Sequence, residues 1–70
     1  MVANANKLKG KIVENGYTLQ RFAEAIGMSH MALYNKINRE QYEFTIGESA
    51  RAMKVLNLTK DDYLDIFINF

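Results

Sequence analysis

Residues 22–37 read FAEAIGMSHMALYNKI. One uninterrupted helix is a poor account of this stretch, because a glycine inside a helix costs about 1 kcal/mol relative to alanine. Two short helices joined at Gly27 account for it better. Thr18 is a good N-cap for the first, which runs through Ile26. Leu19, Phe22, Ala23 and Ile26 form its apolar side, and Gln20, Arg21 and Glu24 face outward. Gly27 supplies the turn conformation, Met28 tucks an apolar side chain beneath it, and Ser29 has the side-chain oxygen to cap a third helix running to about Asn38. On that helix Leu33 and Ile37 lie one turn apart and face the core. Ala23 faces the second helix of the pair, where a larger side chain would push the two apart. A turn of about three residues between short helices is the helix-turn-helix arrangement, which crosses them at roughly 90–120°.

Helical spacing extends outward in both directions. Leu8, Ile12 and Val13 share a face of a first helix over residues 4–15, ended by a left-handed cap at Asn15-Gly16. NREQYEF, residues 38–44, has mixed polarity and no helical stripe, so it reads as a loop or extended connector. Thr45-Ile46-Gly47-Glu48 is a capping box opening a fourth helix, with Ile46, Ala50, Met53 and Leu56 as its apolar face. Thr59-Lys60-Asp61-Asp62 is a similar start for a short fifth helix carrying Tyr63, Ile66 and Phe67. Proline is absent, and no segment alternates cleanly over more than a few residues. The expected fold is all-α, five helices in one domain over residues 1–70, with the helix-turn-helix at about 18–38.

Composition narrows the function. Seventy residues make one small core and leave no room for a deep substrate cavity, and no ligand-sensing or protease domain is expected beside it. The absence of cysteine excludes disulfides, thiolate zinc sites and thiol catalysis. No paired carboxylates, nucleophile–base pair or ligand cluster stands at a spacing that catalysis could use, so neither an enzyme nor a cofactor is expected. The N-terminal stretch has no apolar core fit for a signal peptide and no window approaches a membrane span, so a cytoplasmic protein is the expectation. Net charge is only +1, but it is polarised. Residues 1–42 carry six bases against three acids, and residues 43–70 carry three against five. That asymmetry points to an anionic partner for the half containing the helix pair.

The spacing Ala23-x3-Gly27-Met28-Ser29-x3-Leu33 resembles the signature of the phage Cro and repressor family, the XRE-type helix-turn-helix proteins. NGYTLQRFAEAIGMSHMALYNKI followed by EFTIGESARAMKVLNLTKDDY is similar to the first four helices of that family and the start of a fifth. Two positions depart from it: Leu19 stands where members commonly carry a phosphate-contacting Gln, and Lys36 where many carry an apolar residue. The resemblance implies a compact lambda-repressor-like fold and sequence-specific binding to operator DNA, with helix 29–38 in the major groove. It implies a small transcriptional regulator, a phage or prophage Cro-like repressor that excludes polymerase.

On that reading Ser29, His30, Met31, Tyr34, Asn35 and Asn38 face base edges. Asn35 suits the N6/N7 edge of adenine and Met31 a thymine methyl. Gln20, Arg21, Lys36 and Arg39 are placed for phosphates, which position a protein without reading sequence. No Arg precedes Arg39 on the helix, so the commonest guanine contact is missing and an A·T-rich site is expected. His30 is the only histidine and has no second metal ligand in view; a solvent-exposed helix residue and a DNA contact are the readings left to it. In the tail YLDIFINF, residues 63–70, the apolar side chains either close the core beneath the first helix or, at Ile68 and Phe70, make a homodimer contact. A two-fold operator asks for such a dimer. The alternative function keeps the fold without the operator: a protein-interaction or antitoxin-like module.

Overall fold

The computed structural model describes residues 2–39 and 43–68. The fold is all-α, with five helices and no strand among the described residues. These are α1 (Ala5–Glu14), α2 (Leu19–Ala25), α3 (His30–Asn38), α4 (Ile46–Val55) and α5 (Lys60–Phe67). Each starts where a side-chain oxygen accepts the backbone N–H three residues on, at Asn4, Thr18, Ser29, Thr45 and Thr59. Glu48 and Asp62 close reciprocal capping boxes on Thr45 and Thr59, as their spacing predicts. No helix among the described residues is long and apolar enough to cross a membrane.

Three helices end on the same corner. Gly16, Gly27 and Asn57 take φ of +79°, +77° and +51° after α1, α2 and α4. The amide that follows each reaches back five residues: Tyr17 to the Ile12 carbonyl at 3.0 Å, Met28 to Ala23 at 2.9 Å and Leu58 to Met53 at 2.9 Å. These bonds satisfy carbonyls that the helix end would leave without partners. The next residue in each case, Thr18, Ser29 or Thr59, caps the following helix. Gly-Tyr-Thr, Gly-Met-Ser and Asn-Leu-Thr are therefore one device, a left-handed residue, an apolar residue packed on the core and a hydroxyl N-cap.

The core collects Leu8 and Ile12 from α1, Phe22 and Ala23 from α2 with Ile26 beyond its end, Leu33 and Ile37 from α3, Ala52 and Leu56 from the α4 end, and Ile66 and Phe67 from α5. Helices α2 and α3 pack on each other, as do α1 and α5. The Asn4 amide donates to the Ile66 carbonyl at 2.6 Å, tying the start of α1 to α5. Ala3, Phe44 and Leu58 complete the core from outside the helices.

Three expectations are corrected here. Val13 is 73% exposed: Leu8 and Ile12, four apart, already fill the inward stripe, and Val13 lies about 100° round from Ile12. On α4 the buried face is Ser49, Ala52 and Leu56, while Ile46 is 75% exposed and Ala50 is also outside. The cause lies in the connector, read from sequence as having no buried stripe. Phe44 is buried edge-on to Phe67, with centroids 5.5 Å apart, and it sets the entry of α4 so that Ser49 turns inward. The Ser49 hydroxyl tolerates burial because it donates to the Ile46 carbonyl at 2.8 Å and lies 2.8 Å from the Tyr63 hydroxyl.

Candidate functional site

The surface built by α2 and α3 carries most of the residues singled out from the sequence. Gly27 separates the two helices in open space, since nothing would lie within 4 Å of a Cβ there. Its positive φ therefore makes the turn, with no crowding involved. Ser29, at φ −72° and ψ 156°, accepts the Ala32 amide at 3.1 Å and starts α3. With Leu33 and Ile37 buried, the helical period leaves Met31, Tyr34, Asn35 and Asn38 round the opposite side. Met31 is 67% exposed and Tyr34 47%, large values for such side chains. With His30 they line a shallow depression of about 150 Å3.

The structure divides the ten α2–α3 residues into two groups. His30, Met31, Tyr34, Asn35, Gln20, Arg21 and Arg39 have side chains with no hydrogen bond or ion pair among the described residues. Asn35 is half-buried and the others are exposed. The remaining three serve the fold. Ser29 is the cap. Asn38 is held at both ends of its amide, accepting from Lys9 Nζ of α1 at 3.2 Å and donating to the Tyr34 carbonyl at 3.0 Å. Lys36 does not point to solvent: its Nζ lies 2.6 Å from Glu48 Oε1, and the two side chains are only 18% and 15% exposed. The same nitrogen sits 6.0 Å from the centre of the Phe44 ring.

Glu48 is the residue that sequence reasoning undervalued. As the capping-box carboxylate of α4 it accepts the Thr45 amide at 2.8 Å, and the same oxygen takes Lys36. Burial pushes this carboxyl up, but the Lys36 ammonium and the Thr45 amide outweigh it and hold the group below its ordinary value. No local signal could have shown the pairing, because Lys36 and Glu48 lie twelve residues apart across the connector. Lys9, similarly, is brought to α3 only by the tertiary fold.

Of the two tail residues, Ile68 caps the end of α5 and is 51% exposed, and Phe70 lies outside the described residues. Ile66 and Phe67 beside them close the core. A second, largely apolar surface lies at the α1–α2 corner, where Lys9, Ile12, Val13, Tyr17, Thr18 and Leu19 line a groove of about 350 Å3.

No curated protein and no solved structure matches the chain. One family model does, over residues 1–69, and its description is "Protein of unknown function (DUF739)". With that match running over nearly the whole sequence, the chain belongs to the DUF739 family.

Proposed function

We propose that this protein is a sequence-specific DNA-binding regulator of the Cro and repressor type, acting in the bacterial cytoplasm by placing α3 in the major groove of an operator and excluding polymerase. The observation that carries the reading is the outer face of α3. Met31, Tyr34 and Asn35 lie on it side by side, and their side chains make no hydrogen bond or ion pair among the described residues. A helix that served packing alone would have no use for an exposed Met and Tyr flanking an amide. In a major groove the three supply an apolar contact for a thymine methyl, a hydroxyl and a bidentate amide for adenine. Arg21 on α2 and Arg39 at the end of α3 are exposed cations with no carboxylate beside them among the described residues, and they suit phosphates.

Selection of bound sequences from a random duplex pool tests this. An enriched A·T-rich palindrome with half-sites about 34–36 Å apart is the expected outcome, and it would also bring the exposed Ile68 into play as part of a dimer contact. Absence of any enrichment at low salt sinks the proposal. One observation favours a second reading, a protein-interaction module: Val13, Tyr17 and Leu19 line an apolar groove separate from the depression at His30, Met31 and Tyr34.

A further inference from the structure

We propose that Lys36 is a positioning residue: paired with Glu48, and opposed by the Lys9–Asn38 contact, it locks the roll of α3 about its own axis and so fixes which side chains face outward. The proposal rests on the DNA-binding reading for its functional consequence and not for its geometry.

On α3 the residue that anchors the C-terminal half is Ile37, which is buried. Its chain neighbours Lys36 and Asn38 flank it at about 100° on either side of the helix. An apolar stripe alone resists translation better than rotation, since a Leu or Ile side chain keeps contact over a range of roll. The two flanking residues remove that freedom. Lys36 is tied to the first turn of α4 through Glu48 at 2.6 Å, and Asn38 to α1 through Lys9 at 3.2 Å. Rolling α3 one way pulls Lys36 from Glu48, and rolling it the other way pulls Asn38 from Lys9.

The Lys36 side is the stronger of the two. Its ammonium and the Glu48 carboxylate are both largely covered, so separating them leaves charges in a poorly hydrated place. Glu48 is itself fixed by the Thr45 amide, and the Lys36 ammonium also lies near the face of Phe44, a core residue. The pair is thus clamped to the connector, to α4 and to the core at one point. A phosphate ligand needs the opposite placement, with its cation projecting to solvent as Arg21 and Arg39 do.

Salt titration separates the two roles. A residue that neutralises a phosphate contributes about 0.9 to the slope of log affinity against log salt, and a residue that only positions contributes nothing. The experiment measures binding of the full chain to its selected duplex and to random duplex across salt, for wild type, Lys36→Met, Glu48→Gln, the double variant and Arg21→Gln. Lys36→Met and Glu48→Gln are each expected to lower affinity for the selected duplex roughly tenfold, with little change on random duplex. The slope should be unaltered in both, and the double variant should be no worse than either single one. Arg21→Gln should lose about 0.9 of slope. Loss of slope in Lys36→Met, with Glu48→Gln binding as well as wild type or better, overturns the proposal.

A second measurement needs no DNA. In the free protein, Glu48→Gln keeps the size of the side chain and removes the charge, and it should move the amide resonances of Met31, Tyr34 and Asn35 as well as those beside residue 48. Shifts confined to the neighbourhood of Thr45 and residue 48 overturn the roll lock. If wild type binds no duplex at low salt, the DNA reading fails, and the resonance measurement still decides the lock. Should Lys36→Met not fold, Glu48→Gln alone carries both readouts.

Discussion

The two sides of this molecule treat charge differently. Where α1 meets α5, Lys7 lies 3.7 Å from Asp65, and Lys11 lies 3.3 Å from Glu14 and 3.5 Å from Asp62. Each of these two cations has a carboxylate beside it. Across the molecule, Arg21 and Arg39 have none among the described residues, and Gln20, His30 and Asn35 make no side-chain hydrogen bond there. Exposed ion pairs add little to stability, typically about 0–1 kcal/mol. Their effect on the α1–α5 side is therefore mainly to neutralise it. Lys9, Arg51, Lys54 and Lys60 also have no carboxylate beside them among the described residues, but Arg21 and Arg39 are the cations that accompany the outward Met31 and Tyr34 on α2 and α3. That contrast is sharper than the net charge of +1, which averages over both sides.

The largest expected effect tests whether the α3 face does what the contrast implies. Tyr34→Ala and Asn35→Ala should each cost about 1–3 kcal/mol in binding the selected duplex and little on random duplex. Thermal stability should stay near that of wild type, since neither side chain makes a hydrogen bond through its own polar atoms among the described residues. Calorimetry of each variant, with and without duplex, reads both quantities. A comparable loss on random duplex would move these residues to the backbone-contacting class and erase the distinction from Arg21.

The glycines give the next effect, with opposite signs on the two sides. Gly27→Ala places a Cβ on a backbone at φ +77°, which costs about 1–2 kcal/mol even though no neighbour lies within 4 Å. Gly10, inside α1 on the paired side, also has open space around it, and Gly10→Ala should stabilise the helix by about 1 kcal/mol. Denaturant midpoints of the two variants should thus fall on either side of wild type. A stabilised Gly27→Ala would mean that the α2–α3 turn does not depend on its left-handed residue.

These contrasts also show where the sequence was legible. Helix starts could be read closely, because each N-cap and its partner lie three residues apart and depend on nothing further away. The turn at Gly27 was legible for the same reason. Faces were harder. Ile46 looked like the head of an apolar stripe, but the roll of α4 is set by Phe44, which packs on Phe67 twenty-three positions along the chain. On α3, Met31 was correctly expected to point outward. Lys36 and Asn38 looked equally available, and only the positions of Glu48 and Lys9 show that each has a partner on another helix. Patterns that close within one turn of helix are visible in a sequence, and pairings between helices are not.

A smaller effect separates the cations themselves. Arg21→Gln and Arg39→Gln should each reduce the salt slope of duplex binding by about 0.9, whereas Lys7→Gln should leave it unchanged. Lys7 already sits beside Asp65, so removing it leaves a carboxylate instead of taking away a phosphate ligand. A slope change for Lys7 equal to that for Arg21 would break the comparison outright, because the paired side would then also meet the polyanion.

Acid is the mildest probe, and it reaches one carboxylate on each side. The Thr59 amide and hydroxyl hold Asp62 below its ordinary value against the opposing effect of burial, with a lesser contribution from Lys11. Glu48 is likewise held down, by Lys36 and Thr45 against burial. A carboxylate depressed in the folded state stabilises at pH values above its unfolded pKa, and that contribution disappears as the pH falls through the folded one. The melting temperature should thus be level from neutrality to about pH 5 and decline below it, as carboxyls with ordinary pKa values of about 4 take up protons in the unfolded chain. Salt distinguishes the two sides. Asp62 lies at the surface, so the Lys11 contribution to its share of the acid response should shrink at about 0.5 M salt. The share from Glu48, whose side chain is 15% exposed, should persist and should vanish in Glu48→Gln. An acid decline that Glu48→Gln leaves unaltered would show that the Lys36–Glu48 contact adds nothing to the folded state, and the two sides of the protein would then differ in geometry but not in electrostatics.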